Sequence, residues 1–359
     1  MMGEILSWLL ARLRILFFGE TLFSVGSRSL RVVRSLGEGG MGCVYEVADV
    51  VNSDKFALKE TRAPGADLQR EVNAHRAVRS EYVVPLVDVA LLGAGVAAGR
   101  GGIAASEVAE EHALLLFPLY SGGTLGGAIA RRLASKNAGP VFLGAALSER
   151  DALVASLSAA RGLLALHAAS LSHRDVKPAN ILIVFDSTGT IASAALTDLG
   201  SVAPLYEQRR SRLDARRIEE DAAVRTSMPF RAPELWSCEP SDTPLDGAAV
   251  DAWSLGCLLF ASAFGVSPFE CIGVGAGGPL VLCEPSHTRT LGAVAFPPPP
   301  ACVSADFCAL VRDLLQVDVR LRLTVAAAVE RMQALLAGLT PANVRGPVIV
   351  IGDDDDGIN

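Results

Sequence analysis

An α+β chain in two unequal parts, a small strand-rich one followed by a larger helical one, is what the amino-acid sequence predicts. Strand-like runs crowd residues 30–119 around a glycine-rich turn, GEGGMGCV at 37–44. Residues 151–169 (DALVASLSAARGLLALHAA) repeat apolar side chains at helical spacing. Between that helix and a strand-like ILIV run at 181–184 lies HRDVKPAN at 173–180, which sets a carboxylate, an ammonium and an amide at Asp175, Lys177 and Asn180. A chain of 359 residues has room for one two-lobed domain or two ordinary ones, and 50% hydrophobic residues supply a large core.

Composition excludes some classes. A net charge of −7 argues against a nucleic-acid partner, because a phosphate-tracking surface needs a basic excess. The mean hydropathy of +0.37 comes largely from Ala and Val, not from one long apolar block. Lysine occurs only at 55, 59, 136 and 177, so Lys59 and Lys177 stand out in a chain that otherwise uses arginine. The cysteines, Cys43, Cys238, Cys257, Cys271, Cys283, Cys302 and Cys308, contain no C-x-x-C pair and predict buried or free thiols in a reducing compartment.

In the N-terminal segment, residues 1–22, an apolar block at 5–18 is broken by Ser7, Arg12 and Arg14. It is too short for a bilayer span, which takes about twenty apolar residues. Drawn as a helix it has one narrow polar face and suits a membrane interface. Up to Arg34 the chain carries five arginines against two glutamates, which would attract anionic lipid. Initiation at Met2 would expose Gly3 in an M-G-x-x-x-S acceptor for myristoylation. A helix packed on the folded domain is the plainer alternative.

In the small part, the glycines at 37, 39 and 42 let backbone N–H groups approach phosphate oxygens where a Cβ would collide. Strand-like residues follow, which favours a hairpin over a dinucleotide-binding turn. FALK at 56–59 reads as a strand ending in Lys59. The segment from Asp67 (DLQREVNAHRAV) reads as a helix whose Glu71 can pair with Lys59, with Glu81 as the weaker rival. Strands are expected at 83–89 and 113–119, separated by a flexible Ala/Gly insertion at 91–110.

In the large part, the ILIV strand leads to LTDLG, with Asp198 as a further acid. A charged helical run occupies 209–224, followed by RTSMPFRAPELWS. A buried helix is expected at VDAWSLG (250–256), a long Gly/Pro-rich loop at 272–300 and a helix at 324–339. The acidic tail, 340–359, ends in DDDDGIN and predicts a solvated segment. A helix–loop–strand carrying Asp175, Lys177 and Asn180 suits phosphoryl transfer. The carboxylate orients a hydroxyl, the ammonium neutralises phosphate and the amide oxygen ligates Mg²⁺.

These motifs, in this order over roughly 290 residues, resemble those of eukaryotic protein kinases: GEGGMGCV, FALK, HRDVKPAN, DLG at 198–200, RAPE at 231–234 and Arg322 near the end. The resemblance implies the bilobal protein-kinase fold, with a small-lobe β-sheet and one main helix at 28–118 and a helical large lobe at 119–339. It implies ATP and Mg²⁺ as cofactors and serine or threonine side chains of proteins as acceptors, the Lys177 spelling being the serine/threonine form.

By the same resemblance Asp175 handles the acceptor hydroxyl with Lys177, while Lys59, fixed by Glu71, clamps the α- and β-phosphates. Gly37, Glu38, Gly39, Gly40, Met41, Gly42, Val44 and Ala57 form the nucleotide flap and roof. FPLYSGGTL (117–125) is the hinge, with Phe117 the gatekeeper and Pro118 and Tyr120 at the adenine edge, Pro118 through its carbonyl only. Asn180 and Asp198 hold metal. Asp251 braces the catalytic loop, Glu234 pairs with Arg322, and Ser227 bridges Asp175 and Lys177. Ser201, Ser211 and Thr226 are candidate autophosphorylation sites.

Met41 for an aromatic tip, Leu199 for Phe, and Val319 and Leu323 for prolines depart from the common spelling. The start LGEGG, the hinge, the inserted charged helix and the FRAPEL ending are similar to the Numb-associated kinase family, in particular to its myristoylated and palmitoylated member. That implies a cytoplasmic enzyme held peripherally at Golgi or other trafficking membranes, although the palmitoylated cysteines have no counterpart here. Two alternatives are a nucleotide-responsive pseudokinase scaffold, disfavoured because no phosphate, metal or hydroxyl contact is missing, and a small-molecule phosphotransferase, which would lack the RAPE segment.

Overall fold

The computed structural model describes residues 22–39, 42–63, 65–92, 111–135, 141–142, 146–273, 280–296 and 303–339. The expectations for the N-terminal anchor with Gly3, for Gly40 and Met41, for the insertion at 93–110, for Cys302 and for the acidic tail lie outside the described residues.

The small lobe is a six-stranded antiparallel sheet built from β1 (Leu22–Val25), β2 (Arg28–Gly39), β3 (Gly42–Asp49), β4 (Lys55–Ala63), β5 (Asp88–Leu92) and β6 (Glu111–Pro118), in the order β1-β2-β3-β4-β6-β5. One helix, α1 (Gly65–Ala77), crosses it. Strand β6 reads HALLLFP because both its faces are covered. Ala113, Leu115 and Phe117 pack with Leu68 and Val72 of α1, while Leu114 and Leu116 pack with Val25, Leu30, Val47 and Leu58 on the other side. The period of two in a strand sorts these residues between two cores.

A strand was expected at 83–89. Instead Val83 makes an isolated bridge to Leu196 and the ladder begins at Asp88. Pro85 lies inside the expected run and has no N–H to give a ladder.

The large lobe begins with α2 (Leu125–Ser135), a two-residue strand β7 (Val141–Phe142) and α3 (Glu149–Ala168). Then come β8 (Leu171–Ser172), β9 (Ile181–Phe185), β10 (Ile191–Leu196), β11 (Ala203–Pro204) and β12 (Tyr206–Arg209). The helices α4 (Arg212–Arg225) and α5 (Pro233–Trp236) lead through β13 (Ser241–Asp246) into α6 (Gly247–Phe264). The chain closes with β14 (Cys271–Gly273), β15 (Leu280–Leu282), α7 (His287–Thr290), α8 (Ala305–Leu314) and α9 (Val325–Gly338).

Helix α6 is the axis of this lobe. Among the described residues it is the one helix long and apolar enough to cross a membrane, but 89% of it is buried inside the fold. It is a core helix, capped by Asp246, whose carboxylate accepts the Ala248 N–H at 2.9 Å. Gly256 lets α8 approach, since a Cβ there would lie 2.9 Å from Leu314 and Leu315 side chains.

Two expectations need correction. The region 272–300 is not one loop: β15 pairs with both β14 and β7, and α7 follows. Cys271 is buried in the large-lobe core and anchors that small sheet. The charged run also starts its helix later than Arg209, which ends β12. Ser211 and Asp214 form a capping box (3.0 and 3.1 Å) that sets the first turn at Arg212.

Candidate active site

The loop after β8 is hung from a single carboxylate. Asp251 of α6 is fully buried and accepts the backbone N–H groups of His173 at 2.8 Å and Arg174 at 2.9 Å. The ring Nε2 of His167 sits 2.8 Å from the same carboxylate. Arg174 stands at φ 70°, a conformation rare for a residue with a side chain, and the Asp251 contact holds it there. His173 Nδ1 accepts the Asp175 N–H at 3.3 Å while Nε2 lies 3.1 Å from the Thr197 carbonyl, a pair of contacts that selects the Nε2–H tautomer.

The loop delivers Asp175 with both oxygens engaged. Oδ1 accepts the N–H of Ser227 at 2.9 Å. Oδ2 accepts from Lys177 Nζ at 2.7 Å and from Asn180 Nδ2 at 3.1 Å. Lys177 also donates to Ser227 Oγ at 2.7 Å, so Ser227 bridges the acid and the base as its position implied. The Asn180 amide nitrogen is spent on Asp175, including its carbonyl at 2.8 Å, which leaves Asn180 Oδ1 as an acceptor.

Opposite lies Lys59 on β4, paired with Leu115 of β6 on one side and Val44 of β3 on the other. Its Nζ is 2.7 Å from Glu71 Oε1 and 2.9 Å from Asp198 Oδ1. Burial works against the ammonium, but Asp198 and Glu71 outweigh it and hold the Lys59 pKa above its ordinary value. Burial raises the Glu71 pKa despite Lys59. Asp198 is held below the usual carboxylate range: loss of solvent inside the cleft opposes this, and Lys59 overcomes it with help from Lys177. The N–H of Thr197, next to Asp198, donates to the Asn180 carbonyl at 3.0 Å, which sets the two clusters side by side. Asp198 takes φ 63°, and Leu199 after it is fully buried, the apolar plug expected there.

Glu81, the weaker candidate for Lys59, is not its partner. The flap residues pair across the β2–β3 hairpin, Gly37 with Val44, Glu38 with Cys43 and Gly39 with Gly42. Ala57 lies opposite Phe117 and Phe56 opposite Pro118, which brings roof and hinge together. Phe117 is buried and its ring centroid is 5.2 Å from that of His75 on α1. Burial, then the Lys59 charge, pushes the His75 pKa down to about 4, and neither ring nitrogen has a hydrogen-bond partner. Burial raises the pKa of Tyr120.

Magnesium fits this donor set. Asn180 Oδ1 and Asp198 offer hard oxygen donors, and the Asp198 side chain is 46% exposed. The described residues contain no cluster of three or more His, Cys, Asp or Glu able to cage a metal.

Farther along, Glu234 and Arg322 form a two-pronged pair at 2.6 and 3.0 Å. The hydroxyls of Ser201, Ser211 and Thr226 are all engaged. Ser201 donates to the Arg225 carbonyl (2.7 Å), Ser211 caps α4, and Thr226 donates to the Ala222 carbonyl (2.8 Å). Sequence reasoning missed several supports of the site, namely His167, Thr197, His75 and the Arg174–Glu207 ion pair. Of these only Arg174 carried a signal, as part of the HRD motif.

The protein kinase domain family matches residues 30–332 of the chain. Serine/threonine-protein kinase 16 of Mus musculus is 32% identical over 244 residues, which cover 67% of this chain and 71% of that protein. A probable serine/threonine-protein kinase of Dictyostelium discoideum is 26% identical over 388 residues, covering 90% of this chain and 98% of the relative. A Schizosaccharomyces pombe serine/threonine-protein kinase is 27% identical over 304 residues, covering 74% and 80%. With the motifs converging on one cleft in a bilobal fold, the chain belongs to the protein kinase family as a serine/threonine kinase.

Proposed function

We propose that the chain transfers the γ-phosphoryl group of Mg²⁺·ATP to serine or threonine hydroxyls of protein substrates. The observation that carries this is the Asp175 carboxylate, held from both sides by Ser227 and Lys177. An acceptor hydroxyl donates its hydrogen to Asp175 as its oxygen attacks the γ-phosphorus. The bond to the β-phosphate bridging oxygen breaks, ADP leaves and the proton passes to the carboxylate. Lys177 offsets charge on the phosphoryl oxygens, and Lys59, steadied by Glu71, orients the α- and β-phosphates. The Pro118 carbonyl and the Tyr120 backbone meet adenine. Asn180 and Asp198 would hold Mg²⁺, which would supply charge neutralisation of the phosphates. Positioning and fixed charge supply most of the acceleration.

The placement in the Numb-associated family, and with it a peripheral address at trafficking membranes, rests on the activation-segment spelling and the arginine-rich N-terminal segment. Retention of the full chain on anionic vesicles, lost on deleting residues 1–22, is the expected result. For catalysis, Asp175→Asn leaves ATP binding intact and removes turnover. A variant turning over within a few-fold of the wild type overturns the assignment.

A further inference from the structure

The two acids that grip Lys59 sit on different elements: Glu71 on α1, Asp198 on the turn that opens the activation segment. Both elements meet at one residue, Arg225, the last of helix α4. Its guanidinium Nη2 is 2.8 Å from Asp67 Oδ1 in the first turn of α1, across 158 residues of chain. Its backbone carbonyl accepts the Ser201 hydroxyl at 2.7 Å, three residues past Asp198. The Arg225 side chain is 16% exposed and Asp67 26%, so this pair is not an ordinary solvated surface bridge.

We infer that Arg225 is a positioning residue: it docks α4 against the start of α1 and so holds Glu71 and Asp198 on the same ammonium. Helix chemistry favours the contact. Asp67 lies at an N-terminus, where a negative charge is stabilised, and Arg225 at a C-terminus, where a positive one is. Asp67 sits one turn before Glu71, so a shift of α1 at this contact is felt directly at the Lys59–Glu71 pair. Each partner also has a local contact, Asp67 with Arg70 at 3.2 Å and Arg225 with Asp221 at 2.5 Å. These stay within their own helices and do not join the lobes. The contact needs no added phosphate, because the carboxylate on α1 already occupies the arginine. Order in an activation segment is often supplied by new arginine–phosphate pairs.

The inference rests on the proposed kinase activity for one of its readouts. Arg225→Met and Asp67→Asn are each expected to lower kcat about three- to thirtyfold, and the double variant to fall no further than the worse single one. Amides of residues 65–77 should exchange hydrogen faster in all three proteins while those of α3 and α6 do not change. Arg225→Lys should recover most of the lost rate. Additive losses, kcat within about twofold of wild type, or unchanged exchange in 65–77 would overturn the inference. A wild-type protein without turnover would sink the proposed function, while the exchange measurement would still decide for or against the latch.

Discussion

Asp251 accepts the backbone N–H of Arg174 at 2.9 Å and keeps that residue at φ 70°, one step before Asp175. The orientation of the Asp175 carboxylate is thus set from the lobe interior, by a side chain with no solvent exposure. Asp251→Asn halves the anchor, because an amide presents one oxygen and one nitrogen to two N–H donors. One donor is left unsatisfied, costing about 1–3 kcal/mol. The loop should relax, so kcat falls with little change in KM for ATP, whose proposed contacts are on the small lobe and hinge. Chemical denaturation read beside steady-state kinetics checks both halves.

The Glu234–Arg322 pair is a structural counterpart. The Arg322 side chain is 1% exposed; it also donates to the Ala249 carbonyl at 2.8 Å and the Gln316 carbonyl at 2.9 Å, and covers the Trp253 ring at 5.0 Å. Glu234→Ala strands that guanidinium and is expected to destabilise the protein by about 3 kcal/mol. Removing both charges with Glu234→Ala and Arg322→Met should destabilise less than the sum of the two single changes, because no buried charge remains unpaired. Urea midpoints of the four proteins provide the comparison. Additive losses would contradict it.

What the sequence makes legible, and what it hides, divides along a physical line. That Asp175, Lys177 and Asn180 meet, and that Lys59 meets Glu71 and Asp198, was readable because motifs of these residue types recur at near-fixed offsets on short loops and strand ends. Glu234, Arg322 and Asp251 were readable through the same motif order. His75 was not, because a histidine in a helix next to Phe117 has no local signature and acquires meaning only when β6 brings the rings to 5.2 Å. Arg225 and Asp67 were hidden for the same reason, being 158 residues apart. The missed boundary at 83–89 is a case where hydrophobic pattern was outvoted, and the small sheet within 272–300 one where Gly/Pro-rich composition hid short strands. In the first, a proline removed a ladder donor; in the second, Cys271 was buried against the large-lobe core.

The flap glycines separate a folding requirement from a ligand requirement. A Cβ on Gly42 would lie 1.8 Å from the Glu60 carbonyl oxygen, whereas one on Gly37 would meet nothing within 4 Å. Gly42→Ala must therefore push β3 from β4, lowering thermal stability and disturbing Lys59, which lies across from Val44. Gly37→Ala should leave the melting temperature unchanged and, if the proposed nucleotide site holds, raise KM for ATP, because its added methyl group meets no protein atom within 4 Å. A loss of stability in Gly37→Ala equal to that in Gly42→Ala would contradict the distinction.

His75 gives the protein an acid sensitivity separate from catalysis. Burial, then the Lys59 charge, holds its folded-state pKa at about 4, against an ordinary value of 6.5. The unfolded chain binds a proton at this site before the native one does. The stabilisation is fully present above pH 6.5 and is lost progressively as pH falls toward about 4. Its size is bounded by the shift at about 3 kcal/mol. His75→Leu keeps an apolar contact with Phe117 and removes the titration. It should flatten the fall in stability between those pH values relative to wild type, as read by urea unfolding at each pH. A variant whose stability falls as steeply as that of the parent over this window would assign the acid sensitivity to other groups.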